Sequence, residues 1–204
     1  MSSLYNIKGK KILFIHIPKT GGSSIESVIK PYDMGLREII GHQSYNDCIK
    51  FVEPDKVFTV VRNPWDWRSS WYHYLKKDKT GKESGHKFEC KQVSKQNFNE
   101  HIKWLLNTDK VNFTTTNYHG KNYKLFIKSQ SSYIDGCDDV DILRFENLEN
   151  DFESFMSSIG LEIKLNLHIN RSQYKNYKEN YNLESINFIR ELCIEDIKKF
   201  KYEY

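Results

Sequence analysis

The sequence predicts an α/β fold, with a single domain over residues 1–204 and a mainly parallel central sheet flanked by helices. Three observations support this prediction. The chain of 204 residues is long enough to bury one core, short apolar runs alternate with amphipathic segments, and a strand, a short turn and a helix follow one another twice. Because ligands bind at the carboxyl ends of the strands in such sheets, the two strand-to-helix turns are the first candidates for a functional site.

The individual elements follow from short apolar runs and from helical spacing. Runs rich in β-branched and aromatic residues predict strands over 11–17, 56–61 and 140–145. Apolar residues at three- and four-residue spacing predict helices over 23–30, 65–76, 97–106, 148–159 and 183–200. Pro64 suits the first position of the second helix, and Gly160 suits the C-terminal cap of the fourth. The remaining polar stretches predict a mobile excursion over 77–97 and a loop over 111–121.

The composition predicts a cytoplasmic protein without a membrane span. A net charge of +4 suits an anionic ligand but is too small to indicate nucleic acid. No window approaches the roughly 18 consecutive apolar residues of a membrane span, and the first residues lack the apolar region of a signal peptide. The four cysteines are widely scattered, with no pair at metal-ligand or redox spacing. We therefore expect reduced thiols and no metal site.

The turn after the first predicted strand has the composition of an anion site. Its sequence, HIPKTGGSS over residues 16–24, combines a lysine, hydroxyl side chains and two adjacent glycines at the start of a helix. Glycine permits a positive φ and a close approach of the backbone, hydroxyl groups donate hydrogen bonds, and the lysine supplies a charge. Backbone N–H groups without helical partners and the helix dipole add to the attraction. The nucleoside-triphosphate pattern G-x-x-x-x-G-K-[ST] is absent, because here the lysine precedes the glycines.

A second motif, VRNPWDWRSSWYHY at residues 61–74, follows the second strand. The two motifs, in this order, resemble the signatures of the sulfotransferases that use 3′-phosphoadenosine-5′-phosphosulfate (PAPS), in particular the group containing the glycan O-sulfotransferases. Weaker matches lie at residues 41–42, 141–148, 170–172 and 200–202, so the resemblance spans nearly the whole chain. It implies a P-loop-like nucleotide-binding fold of the sulfotransferase type, with PAPS as the sulfuryl donor and no metal.

The resemblance also implies which residues bind the donor. The 5′-phosphosulfate would be held by the first loop, through Lys19, Thr20, Gly21, Gly22, Ser23 and Ser24. The 3′-phosphate would be held by Arg62, at the end of the second strand, and by Ser70, about two turns into the next helix. Arginine suits this role because its planar fork of N–H groups matches a phosphate. Lys19 would also be catalytic, since it can stabilise charge that develops during the transfer.

The predicted reaction needs a base, because the acceptor hydroxyl must lose its proton as it attacks sulfur. His42 resembles the histidine that serves as the base in some members of the family, and imidazole titrates near neutral pH. Glu38 and Asp33, in the same segment, are the alternatives, since related sulfotransferases use a carboxylate there.

The chain departs from the commonest family pattern at Trp67, where an arginine is frequent. Arg68 follows one place later, and we predict that it is a solvated charge on the face of the helix. Residues 170–172 resemble a late loop that closes over the nucleotide in members of that family. Most aromatic residues of the second motif have helical spacing and are predicted to pack in the core.

The predicted function is the transfer of a sulfuryl group from PAPS to a hydroxyl, with a carbohydrate as the favoured acceptor. One alternative is an ATP-dependent phosphotransferase, which requires Mg²⁺ and a carboxylate ligand after the second strand. At that place this chain has the sequence Arg-Asn-Pro, residues 62–64. Another is a non-catalytic module that binds anions or glycans, for which His42→Ala leaves binding intact. No feature of the sequence specifies an oligomeric state.

Overall fold

A computed structural model describes residues 1–34, 38–41, 43–78, 87–108, 115–118, 121–123, 129–166 and 176–204. The chain divides into two compact units, which we call the sheet unit and the helical unit. The sheet unit comprises Met1–Asn63 and Gln130–Arg171, and the helical unit comprises Pro64–Ser129 and Ser172–Tyr204. The single domain over residues 1–204 stays a prediction.

The strands in chain order are β1 (Ser2–Ile7), β2 (Lys10–Ile15), β3 (Glu38–Gly41), β4 (Lys56–Val61), β5 (Thr115–Tyr118), β6 (Lys121–Tyr123) and β7 (Val140–Arg144). The helices are α1 (Gly22–Ile29), α2 (Tyr45–Cys48), α3 (Pro64–Lys77), α4 (Lys87–Val93), α5 (Phe98–Thr108), α6 (Leu148–Ser158), α7 (Leu183–Leu192) and α8 (Ile194–Phe200). The three predicted strands correspond to β2, β4 and β7, and the helices that follow them correspond to α1, α3 and α6. The α/β class is therefore confirmed.

The main sheet is mixed and has the order β3-β1-β2-β4-β7. β2, β4 and β7 run parallel, whereas β1 is antiparallel to both β2 and β3. The prediction of a mainly parallel sheet is therefore wrong for the part of the sheet formed by β1 and β3. The reason is the two-residue turn Lys8-Gly9, in which φ is 51° and 81°, because two positive φ angles match the twist of a tight hairpin. Polar Ser2, Ser3 and Asn6 interrupt the apolar pattern of β1 and hid the strand in the sequence.

Three further predictions are corrected by the structure. The polar excursion over 77–97 contains α4, which buries Cys90 and Val93. The predicted loop over 111–121 contains β5, which pairs with β6 in a small antiparallel sheet. The predicted helix over 183–200 is two helices separated at Cys193, whose φ and ψ of −111° and 26° are not helical. Leu183, which fitted the apolar stripe, is 74% exposed because it stands at the first turn of α7.

The core of the sheet unit joins α1 and α6 to the sheet. The rings of Phe14 and Phe58, on neighbouring strands, stack with centroids 4.8 Å apart, and Phe155 of α6 lies 4.7 Å from Phe58. Helix α6 ends at Ser158, and Gly160, the predicted terminator, has a φ of 77° that lets the N–H of Leu161 donate to the Met156 carbonyl at 2.9 Å. These contacts fix the strands whose carboxyl ends carry the candidate site.

The core of the helical unit is aromatic, as the spacing in the second motif predicted. Trp65, Trp67, Trp71 and Tyr72 of α3 are all less than 10% exposed. The indole N–H of Trp65 donates to the Ile186 carbonyl at 3.0 Å, so a buried polar group is satisfied within the unit. None of the helices in the described ranges is both long and apolar enough to cross a membrane.

His101 on α5 introduces a buried titratable group into this aromatic core. It is 1% exposed, and its ring stacks on Trp104 with centroids 5.5 Å apart. Neither ring nitrogen has a hydrogen-bond partner among the described residues. Burial, helped by the positive charges of Arg68 and Lys76, lowers the pKa of His101 from 6.5 to about 3. The ring is therefore neutral in the folded protein at pH 7.

We expect His101→Phe to remove an acid-sensitive part of the stability. Between pH 6.5 and pH 3 the unfolded chain takes up a proton at His101 that the folded protein does not bind, so the free energy of unfolding falls as the pH falls. The loss is on the order of 4 kcal/mol at pH 3 and is absent in the variant, which keeps an aromatic ring at this position. Urea unfolding of both proteins over this pH range measures the difference. A parallel loss of stability in both would contradict the prediction.

Candidate functional site

Three loops meet at one edge of the main sheet. β2, β4 and β7 are neighbours and run parallel, so their carboxyl ends point the same way. The loop of the first motif follows β2, Arg62 and Asn63 follow β4, and the turn Phe145–Asn147 follows β7. The prediction that both strand-to-helix turns lie at the same edge is confirmed, and a third turn joins them.

The loop between β2 and α1 has a left-handed residue where a side chain is normally disfavoured. Lys19 has a φ of 68°, and Gly21, at the N-cap of α1, has a φ of 88°. Thr20 is fully buried, and its hydroxyl donates to the Ile17 carbonyl at 2.8 Å. Strained backbone is frequent at functional sites, where surrounding structure holds it in place. The Thr20 side chain therefore serves the loop's own conformation.

The two adjacent glycines are explained by close packing at two different places. A Cβ on Gly21 would lie 2.9 Å from Cδ2 of Leu148 and 3.3 Å from the ring of Phe145. A Cβ on Gly22 would lie only 2.2 Å from Nε2 of His16, which is buried directly beneath it. Of the two glycines, only Gly21 has a positive φ. Tight packing around the turn is the physical reason for the second glycine.

The start of α1 keeps the features of an anion site. No side chain caps the helix, and no acidic residue stands in its first turn, both within the described residues. Ser23 is exposed there, whereas Ser24 is buried. The first N–H groups of a helix lack helical acceptors and, with the helix dipole, favour a negative group. This donor set therefore suits an anionic group.

His16 forms the floor of the loop and is held by Glu26 of α1. Its Nδ1 and Oε1 of Glu26 are 2.8 Å apart, within hydrogen-bond distance, and the N-terminal amino group contacts both side chains. Burial lowers the pKa of His16 and outweighs the hydrogen bond with Glu26, which raises it, while the charges of the N-terminal amino group and Lys19 act in the same direction as burial. Burial also raises the pKa of Glu26, but hydrogen bonds from His16 and the N-terminal amino group outweigh it and lower that pKa to about 2. A neutral imidazole and a carboxylate therefore coexist below the loop at pH 7.

Arg62 lies against the first loop. It is 6% exposed, and its Nη1 donates to the Lys19 carbonyl at 3.0 Å. Its Cζ lies 3.9 Å from the centroid of the Phe145 ring, which is a cation–π contact. The next residue, Asn63, donates its backbone N–H to Oε1 of Glu146 at 2.6 Å. The structure thus brings Lys19 and Arg62 together and ties both to the turn after β7.

The other predicted site residues lie in other segments of the chain or outside the described residues. Ser70 lies on α3 of the helical unit, is 2% exposed, and its role at the 3′-phosphate stays a prediction. His42 and residues 170–172 lie outside the described residues. Glu38 is the first residue of β3. Asp33 accepts a hydrogen bond from the Asn6 N–H at 3.1 Å and so stabilises the chain after α1.

The prediction for Arg68 is wrong, because this side chain is only 2% exposed. It lies three residues after Trp65 and four before Tyr72, and this spacing places it on the buried face of α3. Its Nη2 is 3.9 Å from Sγ of Cys193, and its Cζ is 4.9 Å from the Trp67 ring. The helical spacing was the signal that could have shown its burial.

Sequence reasoning assigned no role to Gln130, Phe145 or Glu146. The last two lie within the weaker family match at 141–148, but nothing in their local pattern indicates contact with the second motif. Gln130 stands in a polar stretch and has no recognisable signal. Their roles arise because distant loops meet at one sheet edge.

Within the described ranges, no group of three or more His, Cys, Asp or Glu side chains could hold a metal ion. The class that the fold and site define is an α/β protein with a candidate anion site at the carboxyl edge of its parallel strands. Comparisons with protein-family models, with curated proteins and with solved structures found no match.

Proposed function

We propose that this protein is a PAPS-dependent sulfotransferase that acts on a hydroxyl, with a carbohydrate as the acceptor. One observation carries the proposal: Arg62 of the second motif donates to the Lys19 carbonyl of the first motif at 3.0 Å. Lys19 and Arg62, which belong to the two segments that resemble the donor-binding signatures, are 43 positions apart in the chain, yet they meet at a single sheet edge. This juxtaposition supports a site that contacts both ends of one nucleotide.

The residues at this edge would divide the work between the two ends of the donor. The uncapped start of α1 and the ammonium group of Lys19 would hold the 5′-phosphosulfate and stabilise negative charge as the bond to the leaving phosphate breaks. Arg62 would hold the 3′-phosphate, which ATP lacks. PAPS supplies the sulfuryl group, whose bond to the 5′-phosphate breaks as the bond to the acceptor oxygen forms. His42 would accept the proton of the acceptor hydroxyl, a role that rests on the family resemblance.

The first test is a calorimetric titration of the protein with 3′-phosphoadenosine-5′-phosphate, the product nucleotide, in parallel with 5′-AMP and with ATP–Mg²⁺. We expect binding of the product nucleotide that is at least about tenfold tighter than binding of 5′-AMP, because the arginine fork is matched only by the 3′-phosphate. The same preparation is then assayed for transfer of labelled sulfate from PAPS to a set of glycans.

The titration also separates the alternatives. Preference for ATP–Mg²⁺ would favour a phosphotransferase. Selective binding of the product nucleotide without sulfate transfer in the wild type, together with unchanged ligand binding in His42→Ala, would favour a non-catalytic module. Absence of nucleotide binding would overturn the proposal.

A further inference from the structure

Arg62 is held through its main chain by a side chain from a distant loop. Gln130 is fully buried, and its Oε1 accepts from the Arg62 N–H at 2.9 Å while its Nε2 donates to the Arg62 carbonyl at 2.7 Å. The amide thus pairs with one residue in the way that a neighbouring strand does, just beyond the end of β4. Because both bonds are buried, removing the amide leaves two main-chain groups of Arg62 without these partners.

The guanidinium group of Arg62 is held separately. One side contacts the Phe145 ring, with Cζ 3.9 Å from the centroid, and Nη1 donates to the Lys19 carbonyl. The Phe145 ring in turn approaches the position where Gly21 has no side chain. Two of the residues that orient the main chain and the planar group of Arg62 therefore come from beyond position 129.

We infer that Gln130 and Phe145 are positioning residues that preset Arg62 for the 3′-phosphate of the donor nucleotide, an inference that rests on the proposed function. An arginine side chain has several rotatable bonds, and ordering them on binding weakens the affinity. Fixing the main chain and one face of the guanidinium before binding removes part of this loss. Neither residue needs to contact the nucleotide, so both act through Arg62.

The test compares the wild type with Gln130→Leu and Phe145→Leu in calorimetric titrations with 3′-phosphoadenosine-5′-phosphate and with 5′-AMP. The measured quantity is the ratio of the two dissociation constants, which reports the contribution of the 3′-phosphate alone. We expect each variant to lower the preference for the 3′-phosphorylated nucleotide about tenfold, with the affinity for 5′-AMP unchanged. A purely structural role would weaken both nucleotides together or neither.

Matched controls carry the same substitutions elsewhere. Gln96→Leu removes an amide whose Oε1 has no hydrogen-bond partner among the described residues, and Phe155→Leu removes a ring from the core that Phe145 packs against. Both controls should keep the wild-type ratio. If Gln130→Leu does not fold, Gln130→Glu replaces it, because a carboxylate can accept from the Arg62 N–H but cannot donate to its carbonyl.

The outcomes distinguish the inference from the proposed function. If the wild type prefers the 3′-phosphorylated nucleotide and the folded variants keep that preference, the inference alone is overturned. If the wild type binds both nucleotides equally, the proposed function fails and the inference fails with it. A reduced preference in the two variants, with both controls unchanged, supports the positioning role.

Discussion

Replacing Gly22 by alanine is expected to lower the free energy of unfolding by about 3 kcal/mol, although alanine is the better helix former. Helix propensity alone predicts a gain of up to about 1 kcal/mol for this change. The new methyl group would instead lie 2.2 Å from Nε2 of His16, and that ring is buried, stacked on Phe14 and held by Glu26. Because the ring cannot yield, the helix start or the floor of the loop must shift. Urea unfolding of the variant and the wild type measures the change.

A second substitution makes the cause testable. In Gly22→Ala combined with His16→Ala the ring is absent, so we expect the double variant to lose about 2 kcal/mol less than the sum of the two single losses. Ser23→Ala serves as the control, because Ser23 is exposed at the next position of the same helix. Additive losses in the double variant would show that the contact with His16 is not the reason for glycine at position 22.

Lys19→Ala and Arg62→Ala are expected to damage sulfate transfer in different ways. In the proposed function the ammonium group of Lys19 would act mainly while the sulfuryl bond breaks, so its removal should lower turnover about 100-fold with little change in donor affinity. Removing the guanidinium group of Arg62 takes away the predicted contact with the 3′-phosphate, so the affinity for PAPS should fall about 100-fold. Initial rates over a range of PAPS concentrations, with calorimetric binding constants, separate the two effects.

Lys8→Ala is the matched control for Lys19→Ala. Both lysines have a positive φ, 51° at Lys8 and 68° at Lys19, so each substitution places alanine in the same strained backbone region. Lys8 lies in the hairpin turn between β1 and β2, away from the carboxyl edge of β2. Its substitution should leave turnover unchanged. Equal effects of the two lysine variants, or negligible effects of both Lys19→Ala and Arg62→Ala, would contradict the assignment of the donor site.

Sequence reasoning found the parallel part of the fold because its signals are local. β4 was predicted at its observed ends, and α3 begins at Pro64. A proline at the first helical position and an apolar run of six residues each act within one element. The antiparallel part was missed because its signal was the pair Lys8-Gly9, whose meaning depends on whether a strand precedes it.

The candidate site likewise has parts that local sequence signals predict and parts that depend on contacts between distant segments. The loop from Lys19 to Ser24 and Arg62 were predicted as donor-binding residues from composition, spacing and family resemblance, which stays a prediction, and their meeting at one edge follows from parallel neighbouring strands. The helical spacing of Arg68 indicates the burial that the structure shows. The prediction of a solvated charge gave more weight to the usual preference of charged residues for the surface.

The sequence by itself determined the α/β class, the three strand-to-helix units and the chemistry available in the first two turns, because each depends on residues that are close in the chain. Tertiary structure alone decided the hydrogen bonding of Gln130 to the main chain of Arg62, the cation–π contact of Arg62 with Phe145 and the packing of His16 against Gly22. These contacts depend on which loops meet at the end of the sheet and on distances of a few ångströms. A pattern of neighbouring residues does not encode such distances, since close packing is set by the whole core at once.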